Sequence, residues 1–234
     1  LQDSMDEFKR GLSTNPNKLI GESSDQIFDL LDTVGKLNDA ERIRTHMRKV
    51  EFGYSEFKET WFTPVDSKGK IMKGDGFQQK SNEIMFKLFR VINSFLNSYG
   101  GDLMIGIDDN AHDIRGIEKE IKHWFPKFYD ENENFAGIGK YNEKFKLILR
   151  SAFNDEFIGE DKNIFWKFVP MNGKTVFLIR CRQSSKRCYI KKGKVLDYLG
   201  HSFYQRIGDS SEPVDDAENR DIFWSNRRNK PNQV

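Results

Sequence analysis

The sequence predicts a chain that interleaves helices with strands, and three observations carry that expectation. Residues 82–98 place Ile84, Met85, Leu88, Phe89, Val91, Ile92, Phe95 and Leu96 in a wide apolar stripe at helical spacing. The run "DLMIGI" (102–107) is apolar on both faces of a strand, which suits the centre of a sheet. Residues 163–181 form two strand-like runs broken by Asn172-Gly173, the dipeptide of a two-residue hairpin turn.

The other elements follow in chain order. Residues 1–22 are polar and turn-rich and predict no element. Ser23 stands three before Gln26 in a capping-box pattern, and Ile27, Leu30, Leu31 and Val34 follow at helical spacing. Gly35 interrupts. Asn38 with Glu41 repeats the start signal, and Ile43, Met47 and Val50 continue one face, so 24–50 reads as two short helices or a helical hairpin. Gly53 permits a sharp turn. In 54–62, Tyr54, Glu56 and Lys58 share one strand face, and Ser55, Phe57, Glu59 and Trp61 the other. The glycine- and lysine-rich insertion at 62–80 reads as a loop or hairpin excursion. Tyr99-Gly100-Gly101 ends the 82–98 helix at a left-handed cap. "DDNAHD" (108–113) reads as a turn, and 117–135 gives no clear pattern. Tyr141–Phe153 reads as a helix with Phe145, Ile148, Leu149 and Ala152 inward. "RCYIK" (187–191) and "HSFYQRIG" (201–208) read as two short strands, and the acidic stretch 209–224 as ending in a helix near Ile222–Trp224.

Composition sets bounds. With 234 residues, 37% of them hydrophobic, the chain has material for one large domain or one domain with an appendage. The 20 phenylalanines point to an aromatic core. No run approaches the roughly 18 apolar residues that span a bilayer, and no signal-peptide pattern is read in the opening residues. Two cysteines, Cys181 and Cys188, in a chain too long to need stapling point to a reduced, cytoplasmic setting. A first residue that is Leu rather than Met suits a piece trimmed from something longer.

The net charge of +2 hides a local asymmetry. Residues 180–206 hold eight basic residues (Arg180, Arg182, Lys186, Arg187, Lys191, Lys192, Lys194 and Arg206) against Asp197 alone, with Tyr189, Tyr198, Phe203 and Tyr204 among them. Cations that neutralise phosphates beside rings that stack on bases suit a nucleic-acid surface. An ordinary solvated hairpin with its rings turned into the core explains the same residues. "ERIRTHMRK" (41–49) is a second small basic cluster, equally an exposed helix face.

Three carboxylates stand out. Glu51 lies at a helix end, Glu56 on the next strand, and Asp108 at the carboxyl end of the central strand, where sites in α/β sheets form. Clustered carboxylates hold a hard divalent cation, which activates water and stabilises charge on a phosphate. Lys58 shares the Glu56 face and is placed to steady that phosphate. Turn chemistry explains Asp108, and a solvated helix end explains Glu51, just as simply. Period-2 geometry keeps Glu51 and Glu56 off one face of a straight strand, so they converge only if Gly53 folds the chain back. Cys181, Cys188 and His201 match no tight zinc signature, and no phosphate-binding glycine loop or G-x-S-x-G nucleophile motif is present.

Several segments in order resemble the Schlafen/AlbA-like family. They are "EFGYSEFKE" (51–59), "LFRVINSFLNSYGGDLMIGIDDNAHDIRGIE" (88–118), "VFLIRCRQSSKRCYI" (176–190) and "HSFYQRIGDSS" (201–211). The resemblance spans 51–215 and implies an α/β (α+β) fold, a mixed sheet flanked by helices. It divides the chain into an N-terminal helical extension (1–50), a single Schlafen/AlbA-like lobe (51–224, with the insertion 62–80) and a polar tail (225–234). In the nuclease branch, the pattern implies that Glu51, Glu56 and Asp108 bind Mg²⁺ or Mn²⁺ with Lys58 beside them, and that a metal-dependent endoribonuclease cuts tRNA-like or structured RNA. Arg182, Lys186, Arg187, Lys191, Lys192, Lys194 and Arg206 would hold the backbone, RNA being favoured over DNA. The alternatives are a non-catalytic DNA/RNA-binding module of a regulator or sensor, and an interaction domain with a decayed site. The paired cysteines of the family's zinc site are missing, so no zinc is expected. There is length for one lobe where elaborate members have two, so a homodimer or a partner lobe is implied.

Overall fold

The computed structural model describes residues 38–48, 54–66, 69–109, 111–130, 135–191 and 202–229. The sequence-predicted helical segment 24–37 and the residues Glu51, Lys192, Lys194 and His201 lie outside them. The described elements are α1 (Asp39–Arg48), β1 (Ser55–Lys58), α2 (Phe77–Asn97), β2 (Gly101–Ile105), α3 (Glu118–Trp124), a 3-10 turn (Pro126–Phe128), α4 (Phe135–Ala152), a second 3-10 turn (Asp155–Phe157), β3 (Ile164–Met171), β4 (Lys174–Cys181), β5 (Tyr204–Ile207), β6 (Ser210–Pro213) and α5 (Ala217–Asn229).

Four strands form one mixed sheet in the order β1-β2-β4-β3. β1 and β2 run parallel, with α2 as their crossover, and β4 is antiparallel to both β2 and β3. The expected central place of β2 is what its two-faced hydrophobicity dictates. Leu103 and Ile105 face a cluster with Phe95, Phe145, Phe177 and Ile179, under α2 and α4. Met104 faces the opposite cluster with Ile43, Phe57 and Leu178, under α1. The Asn172-Gly173 turn has both residues at positive φ (52° and 73°), as the two-residue hairpin requires.

Helix ends follow their local chemistry. Asn38 caps α1, its Oδ1 accepting from Glu41 N at 2.9 Å. At the end of α2, Gly100 has φ 85° and lies so close to β4 that a Cβ there would stand 2.6 Å from the Cys181 carbonyl oxygen. α1 is pinned to the sheet by Asp102, a buried carboxylate on β2 that pairs with Arg42, with His46 Nε2 at 3.0 Å and with Arg180 Nε at 3.6 Å. Burial works against that charge, but His46, Arg42 and Arg180 together hold its carboxyl well below the usual carboxylate range.

Three sequence expectations change. "RCYIK" forms no strand: Ile190 N donates to Ser202 O and Lys191 N to Ala152 O, both at 2.8 Å, and the Cys188 backbone is taken up by side chains of α2. Asn97 Oδ1 accepts from Cys188 N at 2.9 Å, and the Asn93 and Asn97 amides each donate to Cys188 O at 3.0 Å. β5 therefore pairs with β6, inside the stretch expected to be an acidic tail. The predicted C-terminal helix is longer than Ile222–Trp224 and begins at Ala217. The unassigned region 117–135 holds α3, the 3-10 turn and the start of α4.

Glu120 of α3 ties the post-β1 segment to α4. Its Oε1 accepts from Thr63 Oγ1 at 2.5 Å and Phe62 N at 3.2 Å, and its Oε2 from Tyr141 Oη at 2.6 Å. Burial pushes this carboxyl up to about 7 despite those donors. In the unfolded chain the group releases its proton near 4.5, so between these values the folded state binds more protons. The associated stability is present below about pH 4.5 and is lost as pH rises through about 7, by about 3 kcal/mol. Urea unfolding between pH 4 and 8 is expected to show this decline, and Glu120→Gln to flatten it. An equal decline in the variant would assign it to another group.

Candidate functional site

The parallel pairing of β1 with β2 builds the site. In its register Lys58 lies opposite Ile105, and the chain leaves β2 at Gly106, whose N donates to Lys58 O at 2.8 Å. Gly106 has φ 95°, and a Cβ there would sit 3.0 Å from the Gly116 backbone, so the turn closes only on glycine. The result brings Glu56, Lys58, Asp108 and Asp109 to one end of the sheet.

Lys58 is the hub. Its Nζ lies 2.9 Å from Glu56 Oε1 and 2.5 Å from Asp109 Oδ2. Burial opposes its charge, but Glu56 and Asp109 outweigh it and hold the ammonium above its ordinary value. The second Glu56 oxygen pairs with Arg206 Nη2 at 2.9 Å. Asp108 is partly turn chemistry: its Oδ1 accepts from Ala111 N at 2.9 Å, and its Oδ2 pairs with Arg115 Nη2 at 3.2 Å. Burial raises the Asp109 carboxyl against the pull of Lys58, with Glu56 and Asp108 adding repulsion. Glu59 is raised in the same way, by burial first, with Asp108 and Asp109 adding to it against Arg115 and Lys119. Sequence reasoning missed Asp109 and Glu59; the repeated acid in "DD" after the strand was the available signal for Asp109.

The expected metal ligands meet this geometry unevenly. Glu56 and Asp108 arrive at the same strand ends, and Glu51 lies outside the described residues. The donor chemistry, carboxylate oxygen, suits a hard divalent cation. The described oxygens are committed, however: Glu56 to Lys58 and Arg206, Asp108 to Ala111 N and Arg115, Asp109 to Lys58. Among the described residues no three His, Cys, Asp or Glu side chains are grouped to hold a metal ion. Glu56 and Asp108 thus offer the expected oxygen donors in an arrangement that Lys58, Arg206 and Arg115 already engage.

The basic segment divides. Arg206 was expected among the backbone-holding cations, yet it is buried: besides Glu56 it donates to Ser55 O at 3.4 Å and to Ser211 Oγ at 3.3 Å, with Phe95 beneath its guanidinium at 5.0 Å. It locks the β5–β6 hairpin to β1. Arg182, Lys186 and Lys191 are exposed and Arg187 half-buried. Arg182 lies 4.4 Å over the Phe165 ring, Lys186 pairs with Glu156 at 2.6 Å, Arg187 with Asp221 at 2.5 Å, and Lys191 donates to Arg150 O at 3.0 Å. Of the interleaved rings, Tyr189 is exposed, whereas Phe203 and Tyr204 are in the core. Both cysteines are buried, which pushes the Cys188 thiol up to about 12 and the Cys181 thiol higher than its ordinary value.

The family model described as Schlafen, AlbA_2 matches residues 51–215, more than half of the chain, and the chain belongs to that family. Membership of that family points toward a nucleic-acid-related role. At least two solved structures are similar to it. One is the DIP2311 protein of Corynebacterium diphtheriae, at 18% identity and TM-score 0.43, where the match covers 80% of this chain and 27% of that one. Another is the N-terminal domain of a RecG-related protein of Nitrosomonas europaea, at 16% identity and TM-score 0.39, covering 75% and 92%. The chain thus spans about a quarter of the DIP2311 structure it matches. None of the curated proteins compared with it matches. Among the described residues no helix is long and apolar enough to cross a membrane.

Arg206→Ala is expected to cost about 1–3 kcal/mol, because it leaves one oxygen of the partly buried Glu56 without its partner while Lys58 still holds the other. In urea titrations of the single and double variants, Glu56→Gln should then cost much less on the Arg206→Ala background than alone. Additive costs would mean that the pair does not act as a unit.

Proposed function

We propose that this domain binds nucleic acid through the exposed segment Arg182–Lys191 and that the Glu56–Lys58–Arg206 network holds its architecture rather than its ligand. One observation supports the reading most: Lys186, Arg187 and Lys191 flank the exposed Tyr189 on a segment whose intervening residues Cys188 and Ile190 are buried. The alternation turns cations and one ring outward from a fixed backbone, the combination that engages phosphates and a base together. The ion pairs these cations make with Glu156 and Asp221 are exposed, worth little, and readily exchanged for phosphate.

A second reading is a metal-dependent endoribonuclease in which Glu51, Glu56 and Asp108 hold Mg²⁺ or Mn²⁺. The observation favouring it is the crowding of Glu56, Asp108, Asp109 and Glu59 at the ends of β1 and β2, with Asp109 and Glu59 raised by burial and by one another's neighbours. Perturbed carboxyls gathered at a strand end are a mark of functional sites. A metal would first have to displace Lys58 or Arg206 from Glu56.

One experiment separates the two. Purified protein is titrated against fluorescent transfer RNA in EDTA and again with Mg²⁺ or Mn²⁺, following both anisotropy and fragment length. Binding in EDTA that weakens with salt, and weakens about ten-fold or more in Lys186→Glu/Lys191→Glu, is the expected outcome. Cleavage that needs the divalent ion and vanishes in Glu56→Gln and Asp108→Asn would replace the first reading by the second.

A further inference from the structure

The stretch "KHWFPKFY" (122–129) gave no element in the sequence, and the reason for its composition is visible in the fold. It forms the end of α3 and the following 3-10 turn, both packed against α4. Its rings are not all spent on the core: Phe128 is 44% exposed, and Trp124 and Tyr129 are half-buried. Each of these rings is approached by a lysine. Lys140 Nζ stands 5.5 Å from the Phe128 centroid, Lys122 Nζ 5.2 Å from Tyr129, and Lys144 Nζ 4.5 Å from Trp124. Three rings are thus each bordered by an ammonium group, and Phe128 keeps nearly half of its surface in solvent although Trp124 and Tyr129 pack partly against the core.

We infer that this α3–α4 face is a second nucleic-acid contact, a stacking platform for unpaired bases. The inference rests on the binding reading given above and names what that reading leaves open, the strandedness of the ligand. Rings accept bases of any sequence only when those bases are out of a duplex, while the neighbouring lysines neutralise the phosphates between them. α4 also supplies continuity with the Arg182–Lys191 segment. From Lys140 the helix runs about 15 Å to Arg150, whose carbonyl receives the Lys191 ammonium at 3.0 Å. Lys140/Lys144 and Lys146/Arg150 are each (i, i+4) pairs on neighbouring faces about a third of a turn apart, so cations border the helix along its length. The pair of Lys140 with Glu143 at 2.9 Å is exposed and offers little resistance to a competing phosphate.

The test uses fluorescein-labelled oligouridylate of about 12 nucleotides, a duplex of the same length, and an abasic phosphate oligomer as competitor. The wild-type chain is expected to prefer the single strand. Phe128→Ala should weaken single-strand binding about ten-fold and leave duplex binding unchanged. Lys122→Ala/Lys140→Ala should lower the salt slope of single-strand binding by about 1.4. Phe128→Leu, which keeps the apolar contact and removes the aromatic face, guards against a folding artefact and should behave like Phe128→Ala. If these variants bind the single strand as well as the parent while Lys186→Glu/Lys191→Glu does not, the platform is overturned and the binding reading stands. If the abasic oligomer or polyglutamate competes as well as oligouridylate, base stacking is overturned and an acidic partner takes its place. If the parent binds neither oligonucleotide, both readings fall together.

Discussion

The parallel pairing of β1 with β2 is the constraint on which the rest of this structure depends. It requires a crossover long enough to return the chain to the same end of the sheet, and α2 is that crossover. It places the carboxyl ends of both strands side by side, which is why Glu56, Lys58, Asp108 and Asp109 gather at all. It also leaves β2 covered on both faces, so Leu103 and Met104 serve different clusters and neither can tolerate a polar neighbour without compensation. The one charge that β2 does carry inside, Asp102, is accepted because Arg42, His46 and Arg180 surround it.

The second organising device is polar. α2 presents two buried asparagines to the backbone of Cys188 and to the edge of β5 that β6 leaves open. A side-chain amide has one acceptor and two donors, so it can stand in for a neighbouring strand. Asn93 and Asn97 do so for Cys188 and Tyr204, and Arg206 then ties the hairpin they position to Glu56 on β1. An ion pair this enclosed contributes through geometry more than through net stability, since the cost of taking both charges out of water offsets much of their attraction. The same residues that resemble a catalytic or ligand-holding set thus also close the fold. A carboxylate compensated by a buried arginine is a structural partner before it is a ligand for anything else.

The cations of the surface are distributed by a different logic. Around Tyr189 the core takes every second residue and leaves the lysines outside. Around Phe128 and Tyr129 a short 3-10 turn that opens at Pro126 leaves Phe128 exposed while Tyr129 packs partly against the core. Both arrangements follow from what is buried next to them, and neither is a property of the charged residues alone.

Much of this was legible in the sequence. The α2 stripe, the two-faced β2, the Asn172-Gly173 hairpin and the Asn38 cap are local signals whose physics acts within a few residues, and each is present where the pattern placed it. The ordered segments from 51 to 215 also sufficed to suggest the family. What tertiary structure decided was everything that depends on a distant partner. It turned "RCYIK" from strand to connector, because Asn93 and Asn97 lie about ninety residues away in sequence. It took Arg206 out of the basic surface, because Glu56 stands 150 residues before it. It made Asp109, next to the anticipated Asp108, the partner of Lys58. Periodicity reports which face a side chain leaves by, whereas a buried charge is settled by what meets it on that face, and only the folded chain determines that.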